Sequence, residues 1–174
     1  MTPVKLRNLL LRANRHLGAA LVDANLVKVA QLEAATERLL ELAAAGNTRQ
    51  CSVLGVLAYE LKVVSEEDAL LQLLDGDGAG LVDLRACDVA EDLKPGLDLD
   101  ACWATWSLPF DREEGFTFVA TAHGLSAEVR AHWEKQLGGP ILWFGATIEG
   151  IADTLEKLGA ARATGTTPAV PAKP

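Results

Sequence analysis

Apolar residues recur along this chain at two different spacings, and the change falls near residue 77. Up to that point the spacing is helical. Residues 3–13 predict a short Leu-rich helix, with Pro3 acceptable in a first turn that needs no backbone N–H from it. A second helix is expected to run to about Leu42, with Val29, Leu32, Thr36, Leu39 and Ala43 on one face at three- and four-residue intervals. Ala43 to Gln50 reads as a linker broken by Gly46 and Asn47. Ser65, followed by Glu66, Glu67 and Asp68, marks another helix start, because its hydroxyl caps free N–H groups and the acids suit the positive helix end. Leu70, Leu73 and Leu74 supply the apolar side of that helix.

One unit occurs twice in this helical part. Leu17-Gly18, Leu21-Val22, Asn25 and Leu26-Val27 are matched, 37 residues on, by Leu54-Gly55, Ala58-Tyr59, Lys62 and Val63-Val64. Neither helix-turn-helix copy can bury its apolar stripe alone, so the two are expected to pack as one bundle.

Beyond residue 77 the spacing shortens. Leu81 to Leu84 predicts a short strand, and Val89 to Lys94 a helical turn stopped by Pro95-Gly96. Cys102, Ala104, Trp106 and Leu108 alternate as a strand does, as do Phe116, Phe118 and Ala120, with Pro109 to Gly115 read as a hairpin loop. A helix follows from Ser126, with Val129, Trp133 and Leu137 on one face, and Gly138-Gly139-Pro140 ends it. Ile141 to Phe144 predicts a strand, and Thr147 caps a last helix that points Ile151, Leu155 and Leu158 inward. The expected fold is α+β. A bundle of two helix-turn-helix repeats spans 1–76, and a β-β-α-β-α subdomain with helices on one side of its sheet spans 77–159. Residues 160–174 carry too little apolar surface to order themselves and are expected to be a tail or linker.

Charge sharpens the picture. The formal net charge is −8, yet residues 1–22 carry Lys5, Arg7, Arg12 and Arg15 and no acid, while residues 60–100 carry twelve acids against Lys62, Arg85 and Lys94. So acidic a chain is not expected to bind nucleic acid, which needs a basic face to displace counterions. The basic start either meets an anionic partner, with Arg7, Arg12 and Arg15 as the contacts, or neutralises the acidic middle of its own chain. No apolar run reaches the roughly 18–20 residues of a membrane span, and the start lacks the pattern of a signal peptide, so a cytoplasmic protein is expected. Cys51, Cys87 and Cys102 are odd in number and widely spaced, which suits buried thiols and not a disulfide frame or metal knuckle.

Catalytic patterns are missing. No phosphate-cradling loop of the ATPase type occurs. Asp75 to Gly80 opens like a calcium loop, but Ala79 and Ala86 stand where ligands are required. Cys102, His123 and Asp111 include the residue types of a nucleophile triad without a supporting spacing, so an enzyme, with His123 and Asp111 active, ranks behind the non-catalytic readings. Neither metal nor cofactor is expected. Trp103 and Trp143 are the tryptophans expected toward solvent.

The repeat and the later strands, in this order from Leu17 to Leu158, resemble the N-terminal domain of the type II secretion and type IV pilus assembly ATPases, the general secretion pathway protein E type. That family's repeat reads Arg-Leu-Gly, two aliphatics, Gly, two aliphatics, Leu and a closing Gln. Ser65-Glu66-Glu67-Asp68 resembles the family's phrase at this helix start, Trp106 to Pro109 its Leu-Pro strand, and Gly138 to Ile148 its Gly-Arg-Arg strand and following helix. The resemblance implies one of two roles. Some members bind cyclic di-GMP through the paired repeat, which would place Arg15, His16, Leu17, Gly18, Leu54 and Gly55 at the ligand. In others the domain docks the motor ATPase onto the cytoplasmic part of an inner-membrane assembly protein. The chain departs from the pattern at its polar positions: the motif Arg is His16 and Val53, the turn Gly is Asn25 and Lys62, and the closing Gln is Leu39 and Gly76. Arg15 lies one residue early, about 100° round the helix. These departures favour a docking or regulatory domain over a sensor.

Overall fold

The computed structural model describes residues 1–165, apart from the side chains of Thr48 and Asp77. Its first helix, α1 (Pro3–Asp23), is longer than the spacing suggested. It runs straight through the first Leu-Gly pair, because nothing between Pro3 and Asp23 breaks a helix and Leu9, Leu10, Ala13, Leu17 and Leu21 form one continuous buried stripe. Asn25 turns the chain at φ 57°, and α2 (Val29–Ala44) returns against α1. In α2 the buried residues are Ala35, Leu39 and Leu42, while Val29 and Thr36 are exposed; the inward face is rotated from the expected one. The second copy is tighter. The short α3 (Val53–Gly55) passes into a π-helical turn (Val56–Glu60), Lys62 turns the chain at φ 54°, and α4 (Glu66–Asp77) starts where expected, with Asp68 N donating to Ser65 Oγ at 3.0 Å.

The second half opens with β1 (Gly80–Leu81), shorter than expected because Asp83 accepts from Arg85 N and starts a 3-10 turn at Leu84–Ala86. Cys102 to Thr105 does not form a strand. It lies in α5 (Leu99–Thr105), capped by Asp98, which accepts from Ala101 N at 3.1 Å. All of Ala101 to Thr105 is buried, and with only Asp100 exposed in its first turn this short helix shows no helical period in the sequence. Trp106 ends it at φ 46°, and β2 (Ser107–Glu113) pairs antiparallel with β3 (Phe116–Thr121) through a turn at Glu114-Gly115. Pro109 to Glu113 is thus strand and not hairpin loop.

α6 (Ala127–Leu137) crosses to β4 (Ile141–Gly145), which pairs parallel with both β3 and β1, giving the sheet order β1-β4-β3-β2. Gly138 closes α6 in the left-handed conformation, and Thr147 caps α7 (Ile148–Ala163). The architecture is α+β, with β2-β3-α6-β4-α7 giving the expected β-β-α-β-α order behind the repeats. α7 continues past residue 159, and Arg162 donates to the carbonyls of Lys94 and Leu97 at 2.6 and 2.8 Å. The rest of the expected tail, residues 166–174, lies outside the described residues.

Two cores form. One gathers Leu10, Leu17, Leu21, Leu39, Leu54 and Leu57 in the bundle, the other Leu108, Ala120, Val129, Trp133, Ile151 and Leu155 about the sheet. α5 is their common wall, with Ala101 and Ala104 in the first and Cys102 and Trp103 in the second.

Candidate functional site

The repeat is built around close packing at Leu-Gly. Leu17 and Leu54 are buried in the bundle core. A Cβ on Gly18 would stand 2.5 Å from Leu32 Cδ1, so the missing side chain is what lets α1 and α2 approach. Gly55 is looser: its nearest neighbours would be Ser52 Cβ at 3.3 Å and Ile148 Cδ1 at 3.7 Å. The turn positions Asn25 and Lys62, 37 residues apart, hold the same left-handed conformation. Asn adopts it readily, whereas Lys is strained there.

Each copy borders an open cleft. The first, about 390 Å³, is lined by Arg15, His16, Ala19, Ala20, Asp23, Leu125 and Ala127. The second, about 530 Å³, is lined by Ala58, Tyr59, Lys62, Val63, Val64, Ser65, Glu66 and Asp68. Val53, at the position of the second motif Arg, is 1 % exposed and lies in the bundle core. Among the described residues Lys62 is therefore the one cation lining the second cleft, and it shares that cleft with two carboxylates. A dianionic ligand meets little positive potential there.

A buried polar seam joins the two halves, and sequence reasoning missed most of it. Asn14, on the buried stripe of α1, donates to Leu10 O at 2.9 Å and accepts from Val53 N at 2.6 Å. Ser52 caps α3, accepting from Gly55 N at 3.0 Å, and its Oγ lies 2.8 Å from His123 Nε2. Trp106 Nε1 donates to Cys51 O at 3.0 Å, and Ser126 Oγ to Ala13 O at 2.9 Å. His123 is wholly buried, its Nδ1 has no partner among the described residues, and burial drives its pKa down to about 3. The ring is thus neutral near pH 7. Asn14 interrupting an otherwise apolar i, i+3, i+4 stripe was the one legible signal for this seam.

The nucleophile candidates are apart in role. Burial pushes the Cys102 thiol up, far from a thiolate at neutral pH. His123 bonds Ser52, and Asp111 accepts from its neighbour Arg112 N. Trp103 is 7 % exposed with Arg49 over its ring, contrary to its expected outward position. Trp143 is half-buried beneath Arg130.

Among the described residues the basic start is joined to the acidic middle by one ion pair, from the terminal amine to Asp98. Arg12 pairs with Glu128 on α6 at 2.7 Å, and the chain's terminal amine reaches Asp98 at 3.4 Å. Among the described residues no salt bridge forms at Lys5, Arg7 or Arg15. No helix among the described residues is long and apolar enough to cross a membrane.

No family model matches the chain, and no curated protein matches it in sequence. Solved structures do. MshE with cyclic di-GMP aligns at TM-score 0.51 and 23% identity, over 82% of this chain and 97% of that one. The N-terminal domain of XpsE aligns in one crystal form at TM-score 0.51 and 20% identity, over 79% of this chain and 90% of that one. In another it aligns at TM-score 0.52 and 21% identity, over 83% and 94%. The chain has the fold of the N-terminal domains of secretion and pilus assembly ATPases. The likeness spans both halves, so the repeat bundle and the sheet together form the shared unit.

Proposed function

We infer that the chain is a non-catalytic docking and regulatory domain of a type II secretion or type IV pilus assembly machine, working at the cytoplasmic face of the inner membrane. Its partners are then a motor ATPase or the cytoplasmic part of an assembly protein. One observation carries the reading: the repeat keeps its packing and both left-handed turns, while its motif cation positions hold His16 and the buried Val53. A scaffold so regular in geometry and so altered in polar groups suits protein contact better than recognition of a dinucleotide dianion. Each charge-assisted hydrogen bond removed from such a site costs about 1.5–3 kcal/mol of affinity.

The test is photo-crosslinking in the native cell from residues spread over the surface of the full chain. The reading expects cross-links to a motor or inner-membrane assembly protein of a secretion or pilus system. Cross-links confined to unrelated proteins, or nucleotide turnover by the purified chain, would contradict it.

A further inference from the structure

Resting on the docking reading, we propose that the outward face of α1 is the docking surface, and that it takes an acidic helical segment of a partner protein. The face is set by the helical repeat. Leu9, Leu10, Ala13, Leu17 and Leu21 point into the molecule, and Lys5, Asn8, Arg12, Arg15 and Ala19, at three- and four-residue steps, form the opposite, exposed stripe. Arg7 is exposed too, but lies about 120° round the helix from the middle of that stripe. The cations extend over ten residues, about 15 Å of helix. A neighbouring helix with carboxylates about three turns apart matches Lys5 and Arg15, the cations of the stripe that have no ion pair among the described residues, and arginines favour paired contacts with carboxylates.

Arg12 in the middle of the stripe is held by Glu128, but two observations set the rest of the face apart from the chain's own use. Lys5 and Arg15 form no salt bridge among the described residues, although the chain has a large excess of carboxylates. The first turn of α1 holds no acid, and Lys5 stands near the positive helix end, where a cation is locally unfavourable. An anionic partner relieves that local conflict. A membrane fits less well. The apolar stripe of α1 is already buried and cannot insert, and the chain's net charge of −8 opposes anionic lipid.

The probe is a fluorescein-labelled helical peptide with Glu at positions i, i+3, i+7 and i+10 along one face, titrated into the full chain by fluorescence anisotropy at about 50 and about 300 mM salt. Saturable binding that weakens with salt is expected. Arg15→Glu should cut the affinity about tenfold, and Arg7→Glu, with the same change in net charge, less than about threefold. Neither should lower the melting temperature, whereas Arg12→Glu should, through its ion pair with Glu128. Equal losses in the Arg7 and Arg15 variants would reduce the effect to net charge and overturn the assignment. So would absence of binding, or preferential sedimentation with phosphatidylglycerol vesicles. If in-cell cross-links reach an assembly protein unchanged by Arg15→Glu, the docking reading stands and the α1 face falls.

Discussion

Glu66 does more than start a helix. It is 9 % exposed, accepts from Tyr59 Oη at 2.5 Å, and also accepts from the backbone N of Ile148 at the start of α7. One carboxylate thus ties the turn of the second repeat to the last helix, at a helix end that favours negative charge. The hydrogen bond to Glu66, then burial, raises the Tyr59 pKa from 10 to about 12. Because the folded value lies above the unfolded one, this bond contributes fully below pH ~10 and its contribution disappears as the pH rises through about 12. Tyr59 is the only tyrosine, so ultraviolet absorbance reads it alone. A midpoint near 12 is expected in the folded protein, shifting down in Glu66→Gln. A wild-type midpoint near 10 would mean that the bond does not persist in solution. The sequence placed Glu66 correctly as a first-turn acid, but its partner lies 82 residues away and leaves no local trace.

At the scale of elements, the repeat was legible because its two copies carry the same local instructions. The matched positions Asn25 and Lys62 share a left-handed turn, and the Ser65, Thr147 and Gly138 signals fall at the helix ends expected of them. α5 was not legible, since five consecutive buried residues, Ala101 to Thr105, alternate as easily as a strand does. The turn positions differ in cost. Left-handed geometry costs an ordinary residue about 1–2 kcal/mol, partly offset by the entropy of a glycine in the unfolded chain. Lys62→Gly should therefore raise stability by about 0.5–1 kcal/mol, and Asn25→Gly should leave it nearly unchanged. Gly18→Val, pressed against Leu32, should lower it by about 1–3 kcal/mol. Urea denaturation of the three variants checks the ranking, and a destabilising Lys62→Gly would show that the Lys62 side chain has a role beyond the turn.

Over the whole molecule, the two halves are joined because α5 serves both cores and hydrogen bonds from Ser52 to His123, from Trp106 to Cys51 and from Ser126 to Ala13 cross between them. The change of period near residue 77 falls where α4 gives way to β1. The buried polar seam was not legible, because its partners come together only when the chain folds. The charge split was legible, but its use was not. Only the structure shows that Arg12 has a mate on α6 and that Lys5 and Arg15 form no salt bridge among the described residues. The central claim is that the paired repeat survives as a packing scaffold and not as a cyclic dinucleotide site. Titration calorimetry of the full chain with cyclic di-GMP tests it most directly. No heat of binding is expected up to about 100 μM ligand, since His16 and Val53 each replace an arginine whose charge-assisted hydrogen bond is worth about one to two decades of affinity. Saturable sub-micromolar binding, weakened by Arg15→Ala or Lys62→Ala, would contradict the account.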